Sequence, residues 1–502
     1  MGAVGQAFGL ILDVNVLLTI LGSAIFGILV GAIPGLTATM ATALLVPVTF
    51  FMPPVPALAA IVTATAMAIF AGDIPSTLLR MPGTPASAAY TDEAFAMTRK
   101  GQAELALGVN VIYSAVGGLF GTVVLMVAAP VLADLALGFS SFEYFWLACL
   151  GLTCGVFIAS LTPLAAMVSL LLGLLVATVG FDAISGYPRF TFGVTDLMSG
   201  VSFIPAMIGL FAVSEVLRGM ADPDNAATMP QQRIGNIFKG LGAITRRYWP
   251  NILRGNAIGT VVGALPGAGA DIAAWVAYAV SKKFSKEPEK FGTGHVEGII
   301  DATSANNSSL GAAWIPALVF GIPGDSITAI VIGVLYMKGM NPGPTVFIQN
   351  PQLIYAVFMA FIVANILMVP LGLAAIRGAT YILRVPRRVL LPIILLFCMV
   401  GSFAITSSVY GIIIMLAAGV VGWIMEENGI PVAPAILGLV LGELLEQTFM
   451  TSMIKAEGNL LAFFDRPLSV VLGVLTILVW LFAGLNAIRT LIRSRKEAAA
   501  AG

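Results

Sequence analysis

The chain has 502 residues, 59% of them hydrophobic and only 10% charged, with a mean hydropathy of +0.99. Twenty-five basic and 25 acidic residues cancel, so the basic surplus of a nucleic-acid-binding protein is absent and the composition is that of a membrane protein. One histidine, three cysteines and the lack of His-Glu-x-x-His or Gly-x-Ser-x-Gly patterns leave general-base and zinc chemistry without their usual groups, so no enzyme and no cofactor is expected.

The N-terminus lacks the basic region and small-residue cleavage site of a signal peptide, and its first apolar run reads as a retained span. No Lys, Arg, Asp or Glu occurs from Val14 to Gly72, and similar gaps run from Tyr144 to Phe181 and from Val389 to Met425. Each gap exceeds the roughly 20 residues of one crossing, so each holds several crossings or a re-entrant segment. Spans are predicted near 14–33, 54–72, 103–129, 142–160, 162–181 and 198–217 in the first half. In the second they fall near 251–265, 270–284, 299–320, 352–376, 388–407, 409–426, 431–449 and 467–489. Pro47, Pro53, Pro54 and Pro56, and later Pro316, Pro323, Pro342 and Pro344, interrupt the runs. Cys149, Cys154 and Cys398 lie in apolar sequence as buried free thiols.

The basic residues Arg233, Lys239, Arg246 and Arg247 place the segment between the halves on the cytoplasmic side. Lys282 to Lys286, Arg384 to Arg388 and the tail Arg489 to Lys496 follow the same rule, whereas the uncharged first twelve residues permit an outside start. The expected fold is an all-α polytopic membrane protein of about eleven or twelve transmembrane helices plus re-entrant or broken helices. Two pseudo-symmetric, inverted repeats are expected, residues 1–217 and 251–502 with the C-terminal helices, joined by a cytoplasmic linker over 218–250.

A duplication underlies that division. Gly27-Ile-Leu-Val-Gly31-Ala-Ile-Pro34-Gly35 returns as Gly259-Thr-Val-Val-Gly263-Ala-Leu-Pro266-Gly267. Each copy sets a Gly-x-x-x-Gly seam, which lets helices approach closely, before a Pro-Gly pair that breaks the helix. A second break follows in both halves, Pro82-Gly83 and Pro323-Gly324, and then a Lys-Gly pair, Lys100-Gly101 and Lys338-Gly339. Gly117 to Gly121 has the seam without a break and reads as packing alone.

Broken helices in apolar surroundings line a wet cavity or are buried in protein, and paired breaks in two halves point to a transporter's binding site. The substrate set is accordingly Gly31, Pro34, Gly35, Thr37, Thr39, Gly263, Pro266, Gly267, Ser304, Asn306, Asn307 and Ser308. Helix N-termini with free amides suit a carboxylate there. The ion set is Pro82, Gly83, Thr84, Asp271, Pro323, Gly324, Asp325 and Ser326, where unwound carbonyls and acids suit Na+ or H+. Three alternatives stay open: Ser304 to Ser309 as interhelical hydrogen-bond glue, Asp271 and Asp325 as helix caps, and Arg80 as a snorkelling cation rather than a carboxylate partner. His295 reads as a loop histidine.

Gly27 to Phe50, ending Leu44-Leu45-Val46-Pro47-Val48-Thr49-Phe50, resembles the opening motif of the large membrane subunit of tripartite tricarboxylate transporters, the TctA family. Phe291-Gly-Thr-Gly-His-Val-Glu297-Gly298, Asn306-Asn307 and Pro316 to Gly324 are similar to its second signature. The resemblance implies a multi-pass protein of the bacterial inner membrane that imports citrate-like di- or tricarboxylates, or related organic carboxylates, by coupling to Na+ or H+. It implies two protein partners, a periplasmic solute-binding protein and a small four-helix membrane subunit. Thr303 departs from the family's pattern, which has an acid at that place; here Asp301 stands two positions earlier. An anion channel or an exporter without ion coupling is the competing reading.

Overall fold

The computed structural model describes residues 2–33, 36–157, 163–182, 185–221, 235–382 and 387–481. The expectations that rest on Pro34, Gly35, Arg233, the 383–386 stretch and the basic tail therefore lie outside the described residues. In chain order the helices are α1 (Ala3–Ile11), α2 (Val14–Ala32), α3 (Ala38–Phe50), α4 (Pro54–Ala71) and α5 (Asp73–Leu79). A 3-10 turn (Ser87–Ala89), α6 (Thr91–Arg99), α7 (Ala103–Ala136), α8 (Ser141–Phe157) and α9 (Pro163–Ala177) follow. Then come α10 (Phe203–Ile208), α11 (Ser214–Ala221), α12 (Leu241–Gly263), α13 (Gly269–Phe284), α14 (Val296–Phe320) and α15 (Ser326–Met337). Next are α16 (Val346–Gln349), α17 (Pro351–Ile382), α18 (Arg387–Thr406), α19 (Val409–Glu427) and α20 (Ala433–Lys455), and a last apolar helix covers Pro467–Leu481. Strand structure among the described residues is limited to the ribbon Gly180–Phe181 with Pro188–Arg189.

The protein is an all-α polytopic membrane protein. Among the described residues seven helical segments are long and apolar enough to cross a membrane. Six shorter apolar helices, Ala38–Phe50 and Ser326–Met337 among them, accompany these. They match the interrupted runs after each break. The chain divides into two compact units, residues 1–134 with 204–423, and residues 135–203 with 424–502. That division cuts across the sequence halves, since the second unit takes chain from both.

Two helices form the centre of the first unit. Almost every side chain of α4, and of α14 as far as Val319, is buried, and the two helices touch. The Gly-x-x-x-Gly seams explain how neighbours approach them. A Cβ added at Gly27 or Gly31 would lie 2.3 Å from the carbonyl oxygen of Ala64 or Ala68 on α4. At Gly259 and Gly263 it would lie 2.3 and 2.5 Å from the carbonyl oxygens of Ala305 and Ser309 on α14. Backbone-to-backbone packing at that range excludes any side chain. The docking is the same in both halves, because Ala64 and Ala305, like Ala68 and Ser309, stand 241 positions apart. Gly117 and Gly121 of α7 close a third seam, on Ser304 and Ser308 of α14, at 2.5 and 2.2 Å.

The halves also interlock. Helix α3 of the first packs against α15 of the second, and α13 of the second packs against the 3-10 turn of the first. The Lys-Gly pairs fasten this exchange. Gly101 and Gly339 adopt left-handed conformations with φ of 77° and 69°. In each case the next residue's amide turns back to the helix, Gln102 to Met97 and Met340 to Leu335, both at 2.9 Å, as in a Schellman termination. The Lys338 ammonium then donates to the carbonyls of Phe50 and Met52 at 2.9 and 2.7 Å, capping α3 of the other half. Lys100 likewise donates to the Thr293 carbonyl at 2.6 Å, beyond the end of α13.

In the second unit α20 packs on α8 and α9, and Gly173 and Gly438 bring α9 and α20 into backbone contact. Phe145, Trp146, Phe449, Phe463 and Phe464 form an aromatic cluster. Beside it the Glu143 carboxylate is buried and accepts from Ser469 at 2.7 Å and Arg466 at 2.8 Å. Arg189 of the ribbon grips Glu446 with both guanidinium nitrogens, at 2.7 and 2.9 Å.

Gly259→Ala is expected to destabilise the protein by about 1–3 kcal/mol through overpacking, seen as a lower thermal unfolding midpoint in detergent. Gly22→Ala, whose added Cβ meets nothing within 4 Å, leaves the midpoint in place. Lys338→Met leaves two helix-end carbonyls without their cation and lowers stability by about 1–3 kcal/mol, read in the same assay.

Candidate functional site

The second break of each half ends in a cap that the local sequence supplies, whereas α13, after Pro266-Gly267, starts without a side-chain cap. After Pro82-Gly83 the Thr84 and Ser87 side chains each accept the other's backbone amide at 3.1 Å. Thr84 thereby opens the turn that leads into α6. After Pro323-Gly324 the Asp325 carboxylate accepts the Thr328 amide at 2.7 Å, and the Thr328 hydroxyl accepts the Asp325 amide at 2.8 Å. Both are capping boxes of the same spacing. Helix α3 starts with the Thr37 hydroxyl accepting the Met40 amide at 3.2 Å.

The glycines let the breaks come close. A Cβ at Gly83 would fall 2.4 Å from Gly72 Cα, and one at Gly324 2.8 Å from the Ala313 oxygen. These two contacts are again 241 positions apart, at 72 with 313 and 83 with 324. Gly267 has a φ of 79° and Gly269 of 62°, the left-handed region that side chains avoid.

Three breaks meet in one place. The Asp271 carboxylate, in the first turn of α13, accepts the Ala86 amide of the first-half turn at 3.1 Å. Gly269 lies against Asp325, 2.6 Å from a built Cβ to the Asp325 Cβ. The Trp275 indole donates to the Pro85 carbonyl at 3.2 Å. The resulting surface is open: Asp271, Pro82, Pro85 and Trp275 are exposed, and Asp325, Ser326 and Pro266 are half-buried. Thr37 and Thr39 are half-buried at the start of α3. Asp325 is thus a helix cap and Asp271 ties the halves together, while the carboxylates of both remain at this mouth.

Other expected residues take different places. Gly31 and Gly263 are enclosed in the seams. Pro323, Gly267, Gly83 and Thr84 are buried. Ser304, Asn306, Asn307 and Ser308 lie within α14 at 0–1% exposure. Ser308 donates to the Asn256 carbonyl at 3.1 Å, and Asn307 donates to the Ser114 hydroxyl at 2.9 Å, so both join helices. The amide oxygens of Asn306 and Asn307 have no hydrogen-bond partner, the Asn306 nitrogen faces only the Tyr90 oxygen, and the Ser304 hydroxyl also lacks a partner. Buried polar groups without partners are rare in native proteins. Arg80 is exposed and pairs with Asp92 at 2.8 Å.

Sequence reasoning missed Asp73. It marks the end of the uncharged run from Val14, follows Gly72 and opens α5. It is completely buried. The Tyr90 hydroxyl donates to its Oδ1 at 2.5 Å, and Oδ2 has no partner. The Tyr90 oxygen also faces Thr303 and Asn306 of α14. Thr303 donates to Asn110 at 3.3 Å, Asn110 donates to Thr77 at 3.1 Å, and Thr77 donates back to the Asp73 carbonyl at 2.8 Å. The available signal was an ionisable residue deep in apolar sequence, which is costly unless it has a function.

Two further carboxylates are fully satisfied. Asp301 accepts from Arg254 at 2.6 and 3.0 Å, from Asn251 at 2.9 Å and from Ser281 at 2.7 Å. Glu93 is enclosed by the loop before α14, accepting the amides of Gly292, of Gly294 at 2.6 Å and of His295 at 2.7 Å. The His295 segment therefore binds a carboxylate of the first half through its backbone, and its left-handed Gly292 and Gly294 permit the wrap.

Residues 17–437 match the family described as the tripartite tricarboxylate transporter TctA family. An uncharacterized 52.8 kDa protein in the TAR-I ttuC' 3'region of Agrobacterium vitis is 34% identical over 456 residues, covering 91% of this chain and 90% of that protein. An uncharacterized protein in the TAR-II ttuC' 3'region of the same organism is 33% identical over 232 residues, 46% of this chain and 96% of its own length. No solved structure matches. The match over most of its length makes this chain a member of the TctA family, and so a membrane component of a tripartite tricarboxylate transporter.

Proposed function

We propose that the protein imports an organic di- or tricarboxylate together with cations, across the bacterial inner membrane. It receives the substrate from a periplasmic solute-binding protein and works beside a small four-helix membrane subunit. The observation that carries this reading is the mouth where three helix breaks meet. The N-terminal ends of α13 and α15 and the capped turn at Thr84 arrive at one open surface. Amide ends of helices attract a carboxylate without a buried arginine.

The same surface holds Asp271 and Asp325. Two carboxylates beside the anion site oppose an unaccompanied substrate, so binding requires cations as well. This is the physical basis for symport rather than for a bare anion channel. In an inside-negative membrane the co-bound positive charge also lowers the cost of moving the anion inward. The substrate residues in this proposal are Thr37, Thr39, Thr84, Pro266, Gly267 and Ser326, and Pro34 and Gly35 belong to the set by sequence. The seam contacts and capping boxes that recur at a spacing of 241 support a two-repeat origin for the site.

The test is uptake of radiolabelled citrate, malate and tartrate by proteoliposomes holding the membrane subunits, with the binding protein outside. Uptake driven by an imposed Na+ or proton gradient is expected. Flux indifferent to both gradients overturns symport in favour of a channel. Asp325→Asn retains the cap, because Asn caps about as well as Asp, and keeps the unfolding midpoint within a few tenths of a kcal/mol. Uptake by that variant should nevertheless fall by about tenfold or more, the effect of roughly 1.4 kcal/mol, and unchanged uptake would remove the charge from the mechanism.

A further inference from the structure

The mouth accounts for Asp271 and Asp325 but leaves Asp73 unexplained. We propose that Asp73, Tyr90 and Asn306 form a separate, occluded site for one small monovalent cation. It deepens the symport reading, on which its role in transport rests.

Asp73 Oδ1 accepts the Tyr90 hydroxyl, and Oδ2 has no partner although the side chain is completely enclosed. The elements packed on α5 include α2, α4, α6 and the 3-10 turn, and Asn110 brings α7 to it as well; the charged residues of α7 are Glu104, which accepts the Gly235 amide, and the exposed Asp134. Neither α2, α4 nor the turn contains a charged residue. On α6, Asp92 pairs with Arg80, Glu93 is held by the Gly292 to His295 loop, and Arg99 is exposed. On α14, which brings Asn306 to Tyr90, Asp301 is bound by Arg254, and Glu297 by Asn251 and Ser285. No lysine, arginine or histidine among the described residues pairs with Asp73.

A buried carboxylate without a counter-charge is among the least favourable groups a protein can hold. One positive charge on Oδ2 resolves it. Asn306 stands next to the same phenol, its amide nitrogen facing the Tyr90 oxygen and its amide oxygen without a partner. Its oxygen is the second hard ligand that a small cation requires. If the charge is a proton, it resides on Oδ2 as an O–H group while Tyr90 continues to donate to Oδ1. If it is Na+, it lies between Oδ2 and the Asn306 oxygen. Either form neutralises Asp73.

The elements fit such a role. Asp73 and Tyr90 flank the second break of the first half, and Asn306 belongs to α14, which ends at the second break of the second half. Filling the site links α5, the capped turn and α14, whereas an empty, charged site opposes their close packing.

The experiment uses the purified full-length protein without substrate or partner, so that its failure is separable from failure of the transport reading. One arm measures 22Na+ binding by scintillation proximity. The other measures the carbonyl-stretch band of a protonated, desolvated carboxylic acid by difference infrared spectroscopy. Loss of one bound Na+ per chain in Asp73→Asn identifies sodium as the occupant. Loss of the infrared band in Asp73→Asn, with Na+ binding unchanged, identifies the proton. Tyr90→Phe and Asn306→Ala, which keep the carboxylate, are expected to weaken cation affinity by about tenfold, or to move the band. These variants keep the idea testable should Asp73→Asn fail to fold. A wild-type protein that shows neither signal overturns the proposal, as do variants that retain both signals unaltered, even if citrate uptake is intact.

Discussion

A helix that stops inside a bilayer bares amides and carbonyls that hydrocarbon cannot satisfy, and the first unit is organised around that constraint. The Thr84–Ser87 and Asp325–Thr328 boxes answer it for the amides. Lys338 answers it for the carbonyls at the end of α3, reaching across from the other half of the chain. The amides at the second breaks are thus satisfied within each half, whereas the end of α3 takes its cation from the other half. Packing of α3 on α15 and of α13 on the 3-10 turn accompanies that contact.

The seams serve the same end. Helices α2 and α12 lie against α4 and α14 at backbone contact, which leaves no lipid between them and buries the two polar-bearing helices. Within this enclosure, serine, threonine and asparagine side chains can be placed mid-helix and bonded to neighbours, as Asn307 is to Ser114. Enclosure also makes each unpartnered group conspicuous. Asp73 Oδ2 and the Asn306 amide oxygen lack partners beside Thr77, Asn110 and Thr303, which are bonded to one another.

The two sequence copies differ in charge at positions that make matching contacts. At the second break the first half caps with Thr84 and the second with Asp325. The enclosed acid shows the reverse, since Asp73 occupies the position 241 residues before Trp314. The ion set expected from the sequence took both its acids, Asp271 and Asp325, from the second copy. In the fold, the enclosed acid Asp73 comes from the first copy and Asn306 beside Tyr90 from the second.

The sequence alone determined the class, most of the long helices, the Pro-Gly breaks and the family, whereas the short helices α3, α5, α6 and α15 were not among its spans. Each rests on a local property: apolar run length, proline and glycine placement, and a repeated motif. The spans near 54–72 and 352–376, for example, correspond to α4 and α17 within a few residues. The Gly27 and Gly259 seams were legible for the same reason, as were the alternative readings of Asp325 as a cap and of Gly117 to Gly121 as packing. Only the tertiary structure decided which residues meet. Asp73 with Tyr90 and Asn306, Asp271 with Ala86, Glu93 with the Gly292 loop and Lys338 with Phe50 join positions 17 to 288 apart in the chain. No helical period carries that information, because long-range pairing is set by how the buried faces of α4 and α14 dock, and a one-residue change of register there would separate every pair.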